Sequence, residues 1–394
     1  MMLSFLLLLS LAASHGSAVT TKLPASYAIW AADSAISRGQ GDGLGSNGAP
    51  LVSYEHGEFQ WALRLLYEKT GNRTYFDYIQ QGVDRVVTQN GTVIGGYGFT
   101  TDYQLDPIRT GPTFLYLYGV TGQEKYKIAA DQYRKQLETQ PRTAQGQFWH
   151  KLRYPNQGWL DGIYMGDVFY AQYTHDFQAW NTSAWDDIQA QFTLMYRNTL
   201  QNATSPPGLL YHGYDYSHTA IWASPDRGHS PEVWDRALGW YMMALVDTLD
   251  IFPRSHPGHD TLLSILRDLA PRVRDAADAT SGVWWLVITQ PGRTGNYFES
   301  SGTAMFVYAL LKGVRRGYLH NDGFVSAAKK AYGYMTKNWV IGDTNGTMNW
   351  LNTVQVGSLD GNGTFEYYIS VPTDINDLKG LAAFTLSSIE YESV

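Results

Sequence analysis

Asp161 stands in "WLDGIYMGDVFYAQY", residues 159–173, where two carboxylates occur among aromatics, glycine and methionine. Asp106 stands in "TDYQLDPIRTG", five residues ahead of Gly111, in what reads as the corresponding loop one structural unit earlier. Burial beside Trp159 and repulsion from a nearby carboxylate would both push a carboxyl towards its neutral form, whereas a helix N-terminus would favour the anion. A carboxyl pair of this kind can do general acid and base work. Each aspartate also has a plain structural role open to it: Asp161 precedes Gly162 and could cap a helix, and Asp106 precedes Pro107, a residue favoured at a first helical position. Asp167 lies about 240° around a helix from Asp161, so those two cannot pair on one helix.

Other polar residues stand in similarly aromatic loops. "FWHKLRYPNQGWLDG" places His150 and Trp159 ahead of Asp161, "YHGYDYSHTAIWA" offers His212, and "SPEVWDRALGWY" offers Trp234 and Arg236. The early aromatic stretch "VSYEHGEFQWAL" adds Tyr54. A histidine between aromatics is commonly a hydrogen-bonded wall residue, and Arg236 could pair with Asp235 or a helix end. A guanidinium also pairs a carboxylate bidentately, so Arg236 is the local cation that an acidic sugar would need here. The chain's 13 tryptophans and 28 tyrosines fit sugar binding, since pyranose rings stack on such faces, or a large amphipathic core. No histidine pairing, EF-hand, Walker, Rossmann or nucleophile-elbow pattern is found, so neither a metal nor a cofactor is expected.

These residues need elements to bring them together. "GEFQWALRLLYEKTGNRTYFDYI" and "GPTFLYLYGVTGQEKYKIA" each read as an apolar helix, a Thr-Gly stop and an amphipathic helix beginning near Tyr75 or Tyr126. Similar starts recur at Gly162, Gly239, Gly302 and Gly380. Six inner helices, each with an outer partner, predict an all-α (α/α)6 barrel, a six-hairpin toroid whose long loops build one active face. An open α-solenoid would show more regular spacing. The strand signal is thin: Gly282–Thr289 and Gly363–Ser370 read as short hairpin arms.

Residues 1–18 carry the apolar core "LSFLLLLSLAA" followed by small polar residues, the layout of a signal peptide, leaving residues 19–394 as one domain. Six Asn-X-Ser/Thr sequons, at Asn72, Asn90, Asn181, Asn202, Asn345 and Asn362, fit a secreted glycoprotein. With no cysteine, an extracellular chain must rest on its core rather than on disulfides. A net charge of −7 without a basic run argues against nucleic acid, and no segment after the first eighteen residues argues for a membrane. The mature chain is expected to act as a soluble monomer on an oligosaccharide.

Taken together, the stretches around Asp161, His212, Arg236 and "ESSGTAMFVYALLKG" resemble the unsaturated rhamnogalacturonyl hydrolases of glycoside hydrolase family 105, related to the unsaturated glucuronyl hydrolases of family 88. The resemblance runs from about Tyr54 to the last helix. It implies an (α/α)6 barrel acting on the unsaturated uronic acid that a pectin lyase leaves at a non-reducing end. It implies that Asp161 is the general acid and base, protonating C4 of the C4=C5 enol ether while water adds at C5. Asp106 would position the sugar and tune Asp161, and His150, His212, Trp234 and Arg236 would line the subsite, with Trp159 and Tyr54 in its wall. Such a reaction asks for a carboxylic acid held neutral in a dry aromatic pocket, the environment expected of Asp161. The alternatives are an inverting glycosidase on a saturated sugar, with carboxylates about 6.5–9.5 Å apart, an epimerase using His150 and His212, or a non-catalytic oligosaccharide binder.

Overall fold

A computed structural model describes residues 24–96, 98–201 and 208–394. The expected signal peptide and the sequon at Asn202 lie outside the described residues. In chain order the helices are α1 (Tyr27–Ser37), α2 (Tyr54–Thr70), α3 (Arg73–Val86), α4 (Phe99–Asp102), α5 (Gly111–Thr121), α6 (Glu124–Thr139), α7 (Leu160–Gly162) and α8 (Val168–Phe177). They continue with α9 (Thr182–Thr199), α10 (Asp235–Leu249), α11 (Pro257–Asp275), α12 (Ser300–Arg315), α13 (Phe324–Asn338), α14 (Phe365–Ser370) and α15 (Leu378–Tyr391). A 3-10 turn, Asp106–Thr110, leads into α5, and a π turn, Ile163–Asp167, joins α7 to α8.

The helices form two concentric rings. Going round the inner ring, α2 touches the Asp106–Thr110 turn ahead of α5, that turn touches the π turn between α7 and α8, and α10, α12 and α15 follow before α15 meets α2 again. Every residue of α10 is buried, as are nearly all of α12 and α15, which is what a helix walled in on all sides requires. The outer members α3, α6, α9, α11 and α13 each pack on the inner helix that precedes them, and α1 closes the circle by packing on α15. The expected (α/α)6 toroid is therefore the observed fold, with the N-terminal helix serving as the sixth outer member.

The sequence accounts for the spacing. The two Thr-Gly stops end α2 and α5 with left-handed residues, Gly71 at φ 69° and Gly122 at φ 68°, conformations a Cβ would strain. The recurrent glycines lie near the starts of inner helices, where neighbouring backbones meet. A Cβ at Gly57 would stand 2.5 Å from the carbonyl oxygen of Arg109, and one at Gly111 would stand 2.3 Å from the ring of Phe169. Larger residues there would force the inner ring apart.

The strand expectations are corrected. Gly363–Ser370 contains α14, a helix capped by the Thr364 hydroxyl, and the 282–289 stretch makes only single bridges, Trp285 to Phe298 and Val287 to Trp234. Among the described residues the three antiparallel pairs lie elsewhere: β1 (Gln157–Trp159) with β2 (Gly213–Asp215), β3 (Val340–Gly342) with β4 (Met348–Trp350), and β5 (Thr353–Val354) with β6 (Thr373–Asp374). Of the described sequon asparagines, Asn72, Asn90, Asn345 and Asn362 are exposed, and Asn181 is half-buried at the cap of α9. No helix among the described residues is long and apolar enough to cross a membrane.

Candidate active site

A cavity of about 500 Å³ opens at the end of the barrel where the inner helices begin. Asp106 and Asp161 both line it, so starts on neighbouring hairpins do converge on one mouth. Neither is the helix cap that its position suggested. The residue preceding α7 is Trp159, and Asp161 is already helical; Leu105 precedes the 3-10 turn, and Asp106 is its first residue. Both carboxylates are thereby released to bind side chains.

Asp161 is held from behind. Antiparallel pairing of β1 with β2 sets Trp159 opposite Gly213, and the Leu160 N–H donates to the His212 carbonyl at 3.0 Å. The His212 ring consequently stands over Asp161, with Nε2 3.0 Å from Oδ2. No other side chain among the described residues bonds that carboxylate. Immediately beyond it the π turn inserts a wider helical loop, a distortion often found at working sites.

Asp106 has different company. A bridge between Gln104 and Lys151 draws the 150–153 segment across the start of the second inner helix. Lys151 then places its ammonium 2.5 Å from Oδ2 of Asp106, and His150 Nε2 lies 3.3 Å from Oδ1. His150 is buried and stacks on Trp159, which also stacks on Tyr154. Burial lowers its pKa to about 4, so at neutral pH it is a neutral imidazole that approaches Asp106, not an ion-pair partner.

The expectation of a neutral Asp161 is corrected for the empty pocket. Burial is the largest single influence and pushes its pKa up, but His212, by charge and by hydrogen bond, together with His150, outweighs it and leaves the carboxyl below its ordinary value.

Tyr54, Trp159, Trp234 and Arg236 line the cavity with Trp240 and Met165. His212 does not; it is fully buried behind Asp161, against Trp159 and Trp234. Arg236 is only 1% exposed and already engaged: Nη1 donates to the Val354 carbonyl at 2.6 Å and to the Ser301 hydroxyl at 3.1 Å, and Nη2 donates to the Gln355 carbonyl. Its counter-ion within ion-pair distance is buried Glu299, 3.9 Å away, whereas Asp235 accepts the Arg236 backbone N–H through Oδ1. Arg236 thus anchors the 355–361 loop, of which Val356, Gly357, Ser358, Asp360 and Gly361 close one side of the cavity.

The comparisons with known proteins fall on this framework. The model of Glycosyl Hydrolase Family 88 matches residues 39–394, taking in both aspartates, all six inner helices and the 355–361 loop. The chain belongs to glycosyl hydrolase family 88. Among solved structures, this family 88 chain is similar to a family 105 glycoside hydrolase of C. acetobutylicum, with 38% identity, 94% of this chain and 100% of that one covered, and a TM-score of 0.88. It is 36% identical over 195 residues to a 24.9 kDa protein in the picA locus of Rhizobium radiobacter, covering 46% of this chain and 82% of that protein. The unsaturated glucuronyl hydrolase of Bacillus sp. GL1 shares the fold at 15% identity, with 92% and 94% coverage and a TM-score of 0.62. The protein is accordingly a glycoside hydrolase of families 88 and 105.

Sequence reasoning missed several lining groups of this family 88 site: Met165, Trp240 and Tyr367, and, more consequentially, Lys151, Arg153 and the 355–361 loop. Lys151 and Arg153 flank Leu152 just after His150, and alternate basic residues in an extended aromatic stretch were the available signal. Arg153 is exposed at the mouth, with its guanidinium over the Tyr154 ring. The 355–361 loop carried no comparable signal.

Proposed function

We propose that the protein removes the terminal unsaturated (4-deoxy-Δ4,5) galacturonyl or glucuronyl residue from lyase-generated oligosaccharides by hydrating the C4=C5 double bond. The observation that carries this reading is that one sugar-sized pocket holds two aspartates in unlike surroundings. Asp106 is neutralised by Lys151, whereas Asp161 has only the His212 ring behind it. Family membership and the likeness in fold to a glucuronyl hydrolase support the same class of substrate.

In this reading the uronate ring lies among Trp159, Trp234 and Tyr54, and its carboxylate brings a negative charge into a confined space. That charge raises the pKa of Asp161 and loads it with a proton. Asp161 gives the proton to C4 as the alkene electron pair forms the C–H bond, and positive charge develops at C5 and the ring oxygen. Water adds at C5 and returns a proton to the Asp161 carboxylate, which ends as it began. The hemiketal opens and the neighbouring sugar leaves. Asp106, fixed by Lys151 and His150, holds the ring in register.

The test follows the ultraviolet absorbance of the conjugated enol ether in oligosaccharides freshly cut by a rhamnogalacturonan lyase, with the native protein and with Asp161→Asn. Loss of absorbance with the native protein alone supports the reading, and the variant should be slower by about 10²–10⁴-fold. No loss with either protein across several unsaturated uronides returns the site to a saturated substrate or to binding without turnover.

A further inference from the structure

The 355–361 loop leads into α14, and α14 carries a tyrosine that reaches the site from behind. Tyr368 is buried, stacks on Trp234 with ring centres 5.7 Å apart, and brings its hydroxyl 2.6 Å from Nδ1 of His212. The other nitrogen of the same ring, Nε2, meets Asp161. The three groups form a buried line from the C-terminal insertion to the carboxylate that faces the pocket.

Hydrogen-bond accounting fixes the direction of this line. His212 is the only partner of the Tyr368 hydroxyl among the described residues, and a buried hydroxyl hydrogen without an acceptor is costly. When the imidazole is neutral, the hydroxyl therefore donates to Nδ1, and the ring proton resides on Nε2, where it donates to Oδ2 of Asp161. The opposite tautomer would leave both the tyrosine hydrogen and the Asp161 carboxylate without a partner in the line. We propose that Tyr368 is a positioning residue which, by donating to Nδ1, holds His212 in its Nε2–H tautomer and so sets the protonation and orientation of Asp161. The inference rests on the function proposed above for Asp161, but the state of the ring can be read without substrate.

The charged and titratable groups facing this line are few. His150, with Asp106 and Lys151 behind it, faces Asp161 and His212 from the loop before β1. Glu232, ahead of α10, and Tyr367 on α14 face Tyr368. None of them contacts Nδ1 of His212.

The experiment has two arms. Histidine ring ¹⁵N spectra of the ligand-free protein, with the His212 signals among ten histidines assigned from their loss in His212→Gln, report the tautomer directly. A protonated Nε2 and a bare Nδ1 are expected in the native protein. In Tyr368→Phe one of the two biases on the ring is gone, so a measurable share of the Nδ1–H form should be populated beside the Nε2–H form that Asp161 still favours. In that form bare Nε2 can accept only from a protonated Asp161, so the alkaline limb of kcat/KM on an unsaturated uronide should move up by about one pH unit. A native spectrum showing Nδ1–H overturns the inference whatever the variant does. So does an unchanged tautomer in Tyr368→Phe, or a uniform loss of activity with no change in the profile, the mark of a purely packing role. Absence of turnover by the native protein would instead strike at the proposed function and leave the spectra to decide the tautomer.

Discussion

The imidazole of His150 lies almost flat on the indole of Trp159, 22° from parallel with ring centres 4.6 Å apart, and turns Nε2 towards Asp106. Burial keeps this ring neutral down to about pH 4, so the compensating charge on Asp106 comes from Lys151.

That division of labour predicts different outcomes for the two neighbours. Lys151→Met should lower kcat/KM by about 10–100-fold, the cost of about 1.5–3 kcal/mol for leaving the Asp106 carboxylate without its ion-pair partner. His150→Gln should cost activity without altering the shape of the pH profile from about pH 5 to 8, because the native ring has no titration there to lose. Initial rates across that range check both.

Ligand binding should take up protons. In the empty pocket His212 and His150 together hold Asp161 below its ordinary value against the upward push of burial, so the carboxyl is ionised near neutrality. A bound uronate adds a like charge and reverses the balance. Calorimetric titration of the native protein with an unreactive saturated uronate, in two buffers of different ionisation enthalpy, should give a net uptake that is absent in Asp161→Asn. Equal heats in the two buffers would contradict the proposed loading step.

The ring was legible because its signals are local. Glycine at Gly57 and Gly111 is demanded by neighbours that touch it, and Gly71 and Gly122 by a left-handed turn, so each requirement leaves a residue that can be read in place. Asp106 and Asp161 were readable as a pair for the same reason, through equivalent positions in successive hairpins. His150 and His212 were readable as candidates too, but not which carboxylate each would meet, nor that Tyr368 would back His212. His212 and Tyr368 are 156 residues apart, and only the closed barrel brings them together. The aromatic, β-branched look of Gly363–Ser370 suggested a strand, but a capping threonine and burial of Phe365 and Tyr368 make it a helix, tertiary context overriding propensity.

Asp167 offers a test of stability. It was set apart from Asp161 by helical angle, and the structure buries it completely, with no hydrogen-bond partner for either carboxyl oxygen among the described residues. Burial, then the charge of Asp187, raises its pKa well above the ordinary range despite Arg142. A carboxyl whose folded-state pKa lies above its unfolded value contributes its full stability below the unfolded value and loses it as pH rises towards the folded one. Asp167→Asn removes that loss. The variant should match the native protein below about pH 4 and exceed it by about 1–3 kcal/mol at neutral to alkaline pH. Urea midpoints at several pH values would show the two curves diverging upward, and parallel curves would refute the assignment.

Arg236 marks the point where charge and shape can be separated. As a bare cation for a substrate carboxylate it could be replaced by lysine with modest loss. The structure instead has its guanidinium fork reach the carbonyls of Val354 and Gln355 and the Ser301 hydroxyl at once, with Glu299 as its buried counter-ion. One ammonium cannot reproduce that planar geometry. Arg236→Lys should therefore free the 355–361 loop, which packs Gly357 against Trp234 and hangs Leu359 on the indole N–H of Trp222. Amide hydrogen exchange should rise across residues 354–361 and KM should rise with it, while the histidine tautomer behind Asp161 stays as in the native protein. A variant with native exchange in the loop and a raised KM would show that Arg236 serves the ligand through its charge rather than through the loop.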